Sequence, residues 1–233
     1  MRSRLLIVKE DINMKQAYIF DMDGTLFQTN RILGHALEDA FDFLRMNDRW
    51  TGETPLAEYQ TIMGVSLPEV WQTLLPGHSD EERALVDRIF QDALIRHIEQ
   101  GQGALYSGAE ATLQALKETG HPLYIASNGW KVYLTAIVRQ YGLNRWLDGV
   151  YSIEDVASSQ KSDLVAYILS EHQLTDVVVV GDRISDFQAA KVNRLPAVGC
   201  RFDFSNEAEL EQADVIIDDL RELVQIDLTA VTK

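Results

Sequence analysis

Three short apolar runs, each closing on a polar or acidic side chain, recur along the chain: Ala17 to Asp21, Leu123 to Ser127 and Val177 to Asp182. Each is followed by helical periodicity. Runs this short and this uniformly apolar are predicted to be strands buried on both faces, the condition of a parallel sheet. Weaker candidates follow at Gly149 to Ser152, Pro196 to Gly199 and Asp214 to Ile217, again separated by helical stretches. Strand alternating with helix gives an α/β class, a doubly wound parallel sheet of Rossmann-like form, whose ligands bind beyond the carboxyl ends of the strands. The three polar run ends are expected to meet there.

Between Phe27 and about Gly103 the alternation stops. Helical patterns run instead near 31–46, 56–62, 67–75 and 79–100, the last opening on Ser79 with Glu82 three residues on. An all-helical stretch set directly after the first strand is predicted to be a small cap inserted into the core. The expected division is a core of 14–27 and 104–233, a cap of 28–103 and a peripheral N-terminal extension of 1–13. Short hinges near 27–30 and 101–107 join cap to core. Ser107 with Glu110 predicts a second capping box, opening a helix that stops at Gly120.

The formal charge is 21 − 36 = −15, which repels polyanions and argues against nucleic acid or an anionic membrane as partner. A small anionic substrate is compatible only with a site made locally positive by a metal, a lysine or helix N-termini. No apolar run approaches the roughly 18 residues of a membrane span, and residues 1–16 are too charged for a secretory signal, so the expected place is the cytoplasm. A lone cysteine, Cys200, cannot close an intramolecular disulfide and is read as core.

Chemistry concentrates at Tyr18-Ile19-Phe20-Asp21-Met22-Asp23-Gly24-Thr25. Two carboxylates two residues apart at a strand end are expected to point to one side, where their repulsion calls for a cation or a shared proton. Gly24 permits the tight turn that follows. This segment resembles the first motif of the haloacid dehalogenase superfamily in its phosphotransferase form. Ile125-Ala126-Ser127-Asn128-Gly129 is similar to the second motif, Lys161 to the third motif's lysine, and Val178 to Asp186 to the acidic fourth. The helical insertion matches the family's helical-cap class, the phosphoglycolate phosphatase and β-phosphoglucomutase-like subgroup.

The resemblance implies a phosphatase acting on a small phosphorylated metabolite. Asp21 would attack phosphorus to form an aspartyl-phosphate. Asp23 would serve as general acid and then base. Mg²⁺ would be held by the Asp21 carboxylate, the Asp23 backbone carbonyl, Asp182 and, directly or through water, Asp186. Ser127, Asn128 and Lys161 would bind the phosphoryl group. The sequence departs from many relatives in that Ser162 rather than proline follows Lys161, and Lys131 competes for that role. Asp23 argues against dehalogenation. A sugar-phosphate mutase and, in another class, a non-catalytic module binding a phosphorylated ligand stay open. Trp130, Tyr59, Met63 and Trp71 are candidates for leaving-group contact or for cap core. The five histidines lack ligand spacing. No residue fixes the physiological ester or the oligomeric state.

Overall fold

The computed structural model describes residues 15–62, 65–203 and 205–226; the expected extension 1–13 and Met63 lie outside them. Six strands among the described residues, β1 (Ala17–Phe20), β2 (Leu123–Ser127), β3 (Gly149–Ser152), β4 (Val177–Gly181), β5 (Ala197–Cys200) and β6 (Val215–Ile217), form one sheet in the order β3-β2-β1-β4-β5-β6. Every pairing is parallel. The order reverses at β1, which lies between β2 and β4, so the crevice at the switch point opens at the carboxyl ends of these three strands.

Period-two alternation accounts for the two layers. Tyr18, Phe20, Leu123, Ile125, Val178 and Val180 face one core, while Ala17, Ile19, Tyr124, Ala126, Val177 and Val179 face the other. The first face carries α5 (Ala109–Glu118) and α6 (Lys131–Gln140); the second carries α7 (Lys161–Glu171) and α8 (Ile184–Val192), with α9 (Glu207–Leu210) beyond β5. Cys200 is buried in the first core.

Between β1 and α5 stand α1 (Asn30–Met46), α2 (Leu56–Thr61), α3 (Leu67–Leu74) and α4 (Asp80–Glu99), the helical cap. Leu33, Leu37, Phe41 and Leu44 of α1 recur at helical spacing and are buried with Phe90, Leu94 and Ile98 of α4. Ser79 caps α4 as expected, accepting from the Glu82 amide at 3.2 Å while its own amide donates to Glu82. The Trp71 indole N–H donates to buried Asp87 at 2.6 Å, which makes Trp71 cap core rather than a ligand contact.

The two chain crossings lie side by side: Gln28 N donates to Ala104 O at 2.8 Å and Tyr106 N to Leu26 O at 2.9 Å. A Cβ on Gly103 would stand 2.5 Å from the Phe27 ring, so glycine is what lets the strands of this hinge touch. The expected capping box at Ser107 does not form. Gly108, at φ 83°, is the N-cap of α5, and Glu110 pairs instead with Arg145 at 2.8 Å. The left-handed glycine turns the chain one residue later than the Ser/Glu pattern requires.

Candidate active site

β1 ends at Phe20, so strand alternation does not reach the two carboxylates, and the expectation that both point one way from a strand is corrected. The chain turns instead. Gly24, at φ 78°, donates its N–H to Phe27 O at 3.1 Å, and a Cβ there would lie 2.3 Å from Asp182 Oδ2. Asp21 and Asp23 still line one cleft, but with different partners.

Asp21, Asp182 and Asp186 each offer an oxygen within 4.8 Å of the others. They come from the ends of β1 and β4 and from the first turn of α8. A Cβ on Gly181 would sit 2.2 Å from Asp186 Cγ, so β4 can end beside this carboxylate only because residue 181 has no side chain. Lys161, first residue of α7, sends its buried ammonium between two of them, 2.7 Å from Asp21 Oδ1 and 2.5 Å from Asp186 Oδ1. The Thr25 hydroxyl donates to Asp182 Oδ1 at 3.1 Å, and Arg183 N donates to Asp186 Oδ2 at 3.1 Å.

Three buried carboxylates thus surround one buried ammonium at the floor of the cleft. Burial pushes the Asp21 carboxyl up to about 7, with Asp186 and Asp23 adding to the rise and Lys161 opposing it. Asp182 is pushed well above the usual carboxylate range by burial and then by Asp21 and Asp186. Burial works against the Lys161 charge, yet Asp186 and Asp21 more than offset it and raise the ammonium's pKa. An all-oxygen set with excess negative charge fits a hard divalent cation, which would relieve that repulsion. Asp23 contributes no carboxylate oxygen to this cluster.

The Asp23 carboxylate accepts from the Tyr133 hydroxyl at 2.5 Å and from the Thr29 hydroxyl, both on Oδ1. Burial raises its pKa, and these two donors oppose the rise. Neither donor belongs to a sequence motif. Thr29 lies in the hinge, and Tyr133, six residues after Ser127, reads there as one more aromatic on the buried face of a helix. Their shared signal is proximity to motif residues.

Ser127 and Asn128 line the same cleft with Gly129 and Lys161. Ser127 Oγ accepts from Gly129 N at 3.0 Å, and Asn128 Oδ1 is buried without a hydrogen-bond partner among the described residues. Lys131 points elsewhere: its ammonium pairs with Asp155 at 2.6 Å and is largely exposed. Arg183 lines the cleft and binds Glu209 of α9 at 3.0 Å. Tyr59 reaches the cleft from the cap, and Trp130 lines an adjoining groove. No histidine among the described residues lines the cleft; His121 and His78 bond backbone carbonyls, and His172 bonds Tyr151.

Residues 15–193 match the sequence profile of the haloacid dehalogenase-like hydrolases. A 5'-nucleotidase of Pseudomonas aeruginosa is 26% identical over 196 residues, 82% of this chain and 85% of the relative. A phosphoglycolate phosphatase of Neisseria meningitidis is 24% identical over 208 residues, 85% and 86% of the two chains. The crystal structure of CbbY from Rhodobacter sphaeroides, in complex with phosphate, superposes with a TM-score of 0.77 at 21% identity, covering 90% of this chain and 96% of that one. No helix among the described residues is long and apolar enough to cross a membrane.

Proposed function

Since the chain belongs to the haloacid dehalogenase-like hydrolases and is a phosphoric monoester hydrolase, we propose that it hydrolyses a small phosphomonoester through an aspartyl-phosphate on Asp21, with Mg²⁺ as cofactor. The observation that carries the reading is the meeting of Asp21, Lys161, Asp182 and Asp186 at the switch point of the sheet, with Asp23 held separately by Thr29 and Tyr133.

In this reading Asp21 Oδ attacks phosphorus in line with the leaving oxygen, and Asp23 gives that oxygen a proton. Asp23 then takes a proton from the water that attacks the phosphoryl group, which returns the Asp21 carboxylate. The Asp21 carboxylate, Asp182, Asp186 and the Asp23 carbonyl would hold the metal, which supplies neutralisation of phosphoryl charge. Lys161, Ser127 and Asn128 bind the phosphoryl oxygens. Asn128 lines the cleft beside Ser127 and Lys161 and would contribute through its amide N–H donors. The Lys161 ammonium pairs Asp21 with Asp186 before substrate arrives and can turn one donor to phosphate.

The division of labour is quantitative. A general acid supplies about 10²- to 10⁴-fold, while phosphate monoester hydrolysis calls for accelerations up to about 10²¹-fold. Positioning of the nucleophile and charge stabilisation must furnish most of the rest. We further take residues 28–103 as the unit that closes over the core of 14–27 and 104–233, excluding water from the covalent intermediate.

The test is phosphate release from a panel of small phosphomonoesters, with and without Mg²⁺, by the native chain and by Asp21→Asn. Release that needs both the metal and Asp21 is expected. Binding of esters without turnover would favour a ligand-binding module, and isomerisation of a sugar phosphate without phosphate release would favour a mutase.

A further inference from the structure

The cleft has two unlike halves. Its floor holds every charged group that lines it among the described residues: Asp21, Asp23, Lys161, Asp182 and Arg183, all from the core. Its roof is Leu33, Tyr59, Leu67, Val70, Phe90 and Leu94 of the cap, with Gln91 as the amide among them. No cap lysine, arginine or histidine lines it among the described residues. Four of the cap's six arginines are paired away from the cleft, Arg45 with Glu38 and Asp42, Arg49 with Glu82, Arg83 with Asp80 and Arg96 with Asp39; Arg31 donates to Gln28, and neither Arg31 nor Arg88 lines the cleft or the adjoining groove.

The floor's cations are also committed. Lys161 bridges Asp21 and Asp186, and Arg183 holds Glu209 through two nitrogens, at 3.0 and 3.2 Å. The adjoining groove, which shares Val65, Leu67, Asn128, Lys161 and Ser185 with the cleft, adds neutral Gln160 and Gln188, the Trp130 ring and one acid, Glu69. A leaving group rising from the phosphoryl site therefore meets hydrocarbon, aromatic faces and amides. A second anion on that leaving group would be desolvated against apolar side chains with no cation to receive it.

Building on the phosphatase reading, we infer that the substrate is a monoester whose leaving group is uncharged and largely apolar or aromatic, and that the cap discriminates against esters carrying a second carboxylate or phosphate. A carboxylate beside the phosphate ester gains nothing from the roof and loses its water. An aromatic or amide-bearing leaving group of similar size keeps its contacts with Phe90, Tyr59 and Gln91.

A matched pair of substrates tests this: phosphoglycolate and its neutral isostere, the phosphate ester of glycolamide, with p-nitrophenyl phosphate as reference. kcat/KM is expected to favour the amide over the carboxylate by about tenfold or more. Val65→Arg, at a half-exposed position shared by cleft and groove, provides the gain-of-charge control. It should shift the ratio towards the carboxylate by about fivefold or more, and comparing the two enzymes cancels the esters' intrinsic difference in reactivity. Equal or better use of phosphoglycolate by the native chain, with p-nitrophenyl phosphate cleaved, would overturn this inference alone. Failure to cleave any of the three, p-nitrophenyl phosphate and both esters alike, would overturn the phosphatase reading together with it.

Discussion

At the scale of single residues, the two carboxylates of the first motif differ in environment, and their variants should differ in kind. Asp21 touches the Lys161 ammonium, whereas Asp23 touches two hydroxyls. Asp21→Asn is expected to remove turnover of every ester by about 10³-fold or more, with circular dichroism unchanged. Asp23→Asn should lower alkyl-ester hydrolysis by about 10²- to 10⁴-fold but leave p-nitrophenyl phosphate much less affected, because nitrophenolate departs without a proton. Equal losses on both esters would remove Asp23 from the role of acid. The placement of Asp21, Asp23 and Asp182 at one cleft was legible because each sits in a recognisable word of sequence, and that of Lys161 only from its position between two such words. Tyr133 and Thr29 were not, since a buried hydroxyl aimed at a carboxylate leaves no trace in spacing or polarity.

The elements explain how residues from distant parts of the chain converge. Strand ends bring Asp21, Ser127 and Asp182 to one edge, and the first turns of α7 and α8 add Lys161 and Asp186. All six strands could be read, with ends displaced by a residue or so; the signal was strong for β1, β2 and β4, buried throughout as apolar runs, and weaker for the half-buried edge strands β3 and β6. Loop conformation was less legible. The Ser107 and Glu110 pattern suggested a box, yet the turn is set by Gly108, whose left-handed backbone is invisible to a pattern of side-chain donors and acceptors. One glycine in the turn after β1 carries a sharper consequence. Gly24→Ala combines a left-handed φ of 78° with a Cβ 2.3 Å from Asp182. The backbone part alone costs about 1–2 kcal/mol. Displacement of Asp182 should add a loss of Mg²⁺ affinity, read by titrating activity against metal. A variant with lowered stability but native metal dependence would contradict the proposed closeness of this turn to the metal site.

For the whole molecule, the buried acidic cluster ties stability to pH and to metal. A carboxyl raised from 3.8 to about 7, as at Asp21, binds a proton in the folded chain where the unfolded chain has already lost it. The stability contributed by that proton is present at low pH and is lost as pH rises from about 4 towards about 7. Metal-free protein is therefore expected to show a lower Tm at pH 8 than at pH 6, and Mg²⁺ should raise Tm more at pH 8, where the carboxylates are ionised. Asp182→Asn should raise the metal-free Tm at pH 8 and diminish the Mg²⁺ increment. A Tm independent of metal at both pH values would contradict the cluster as a cation site. On the proposed reading the formal charge of −15 would be reconciled with an anionic substrate through a metal and Lys161 at one crevice rather than through the surface as a whole.

The central claim is a covalent phosphoryl group on Asp21, and the most direct measurement traps it. Native protein mixed with Mg²⁺ and p-nitrophenyl phosphate is quenched in acid within the first turnover, reduced with borohydride and digested for peptide mass spectrometry. An acyl-phosphate at Asp21 is reduced to homoserine at that position, and this product is expected only when metal and substrate are both present and never in Asp21→Asn. Reduction at Asp23 or at another carboxylate, or phosphate release by Asp21→Asn at the native rate, would contradict the assignment of the nucleophile.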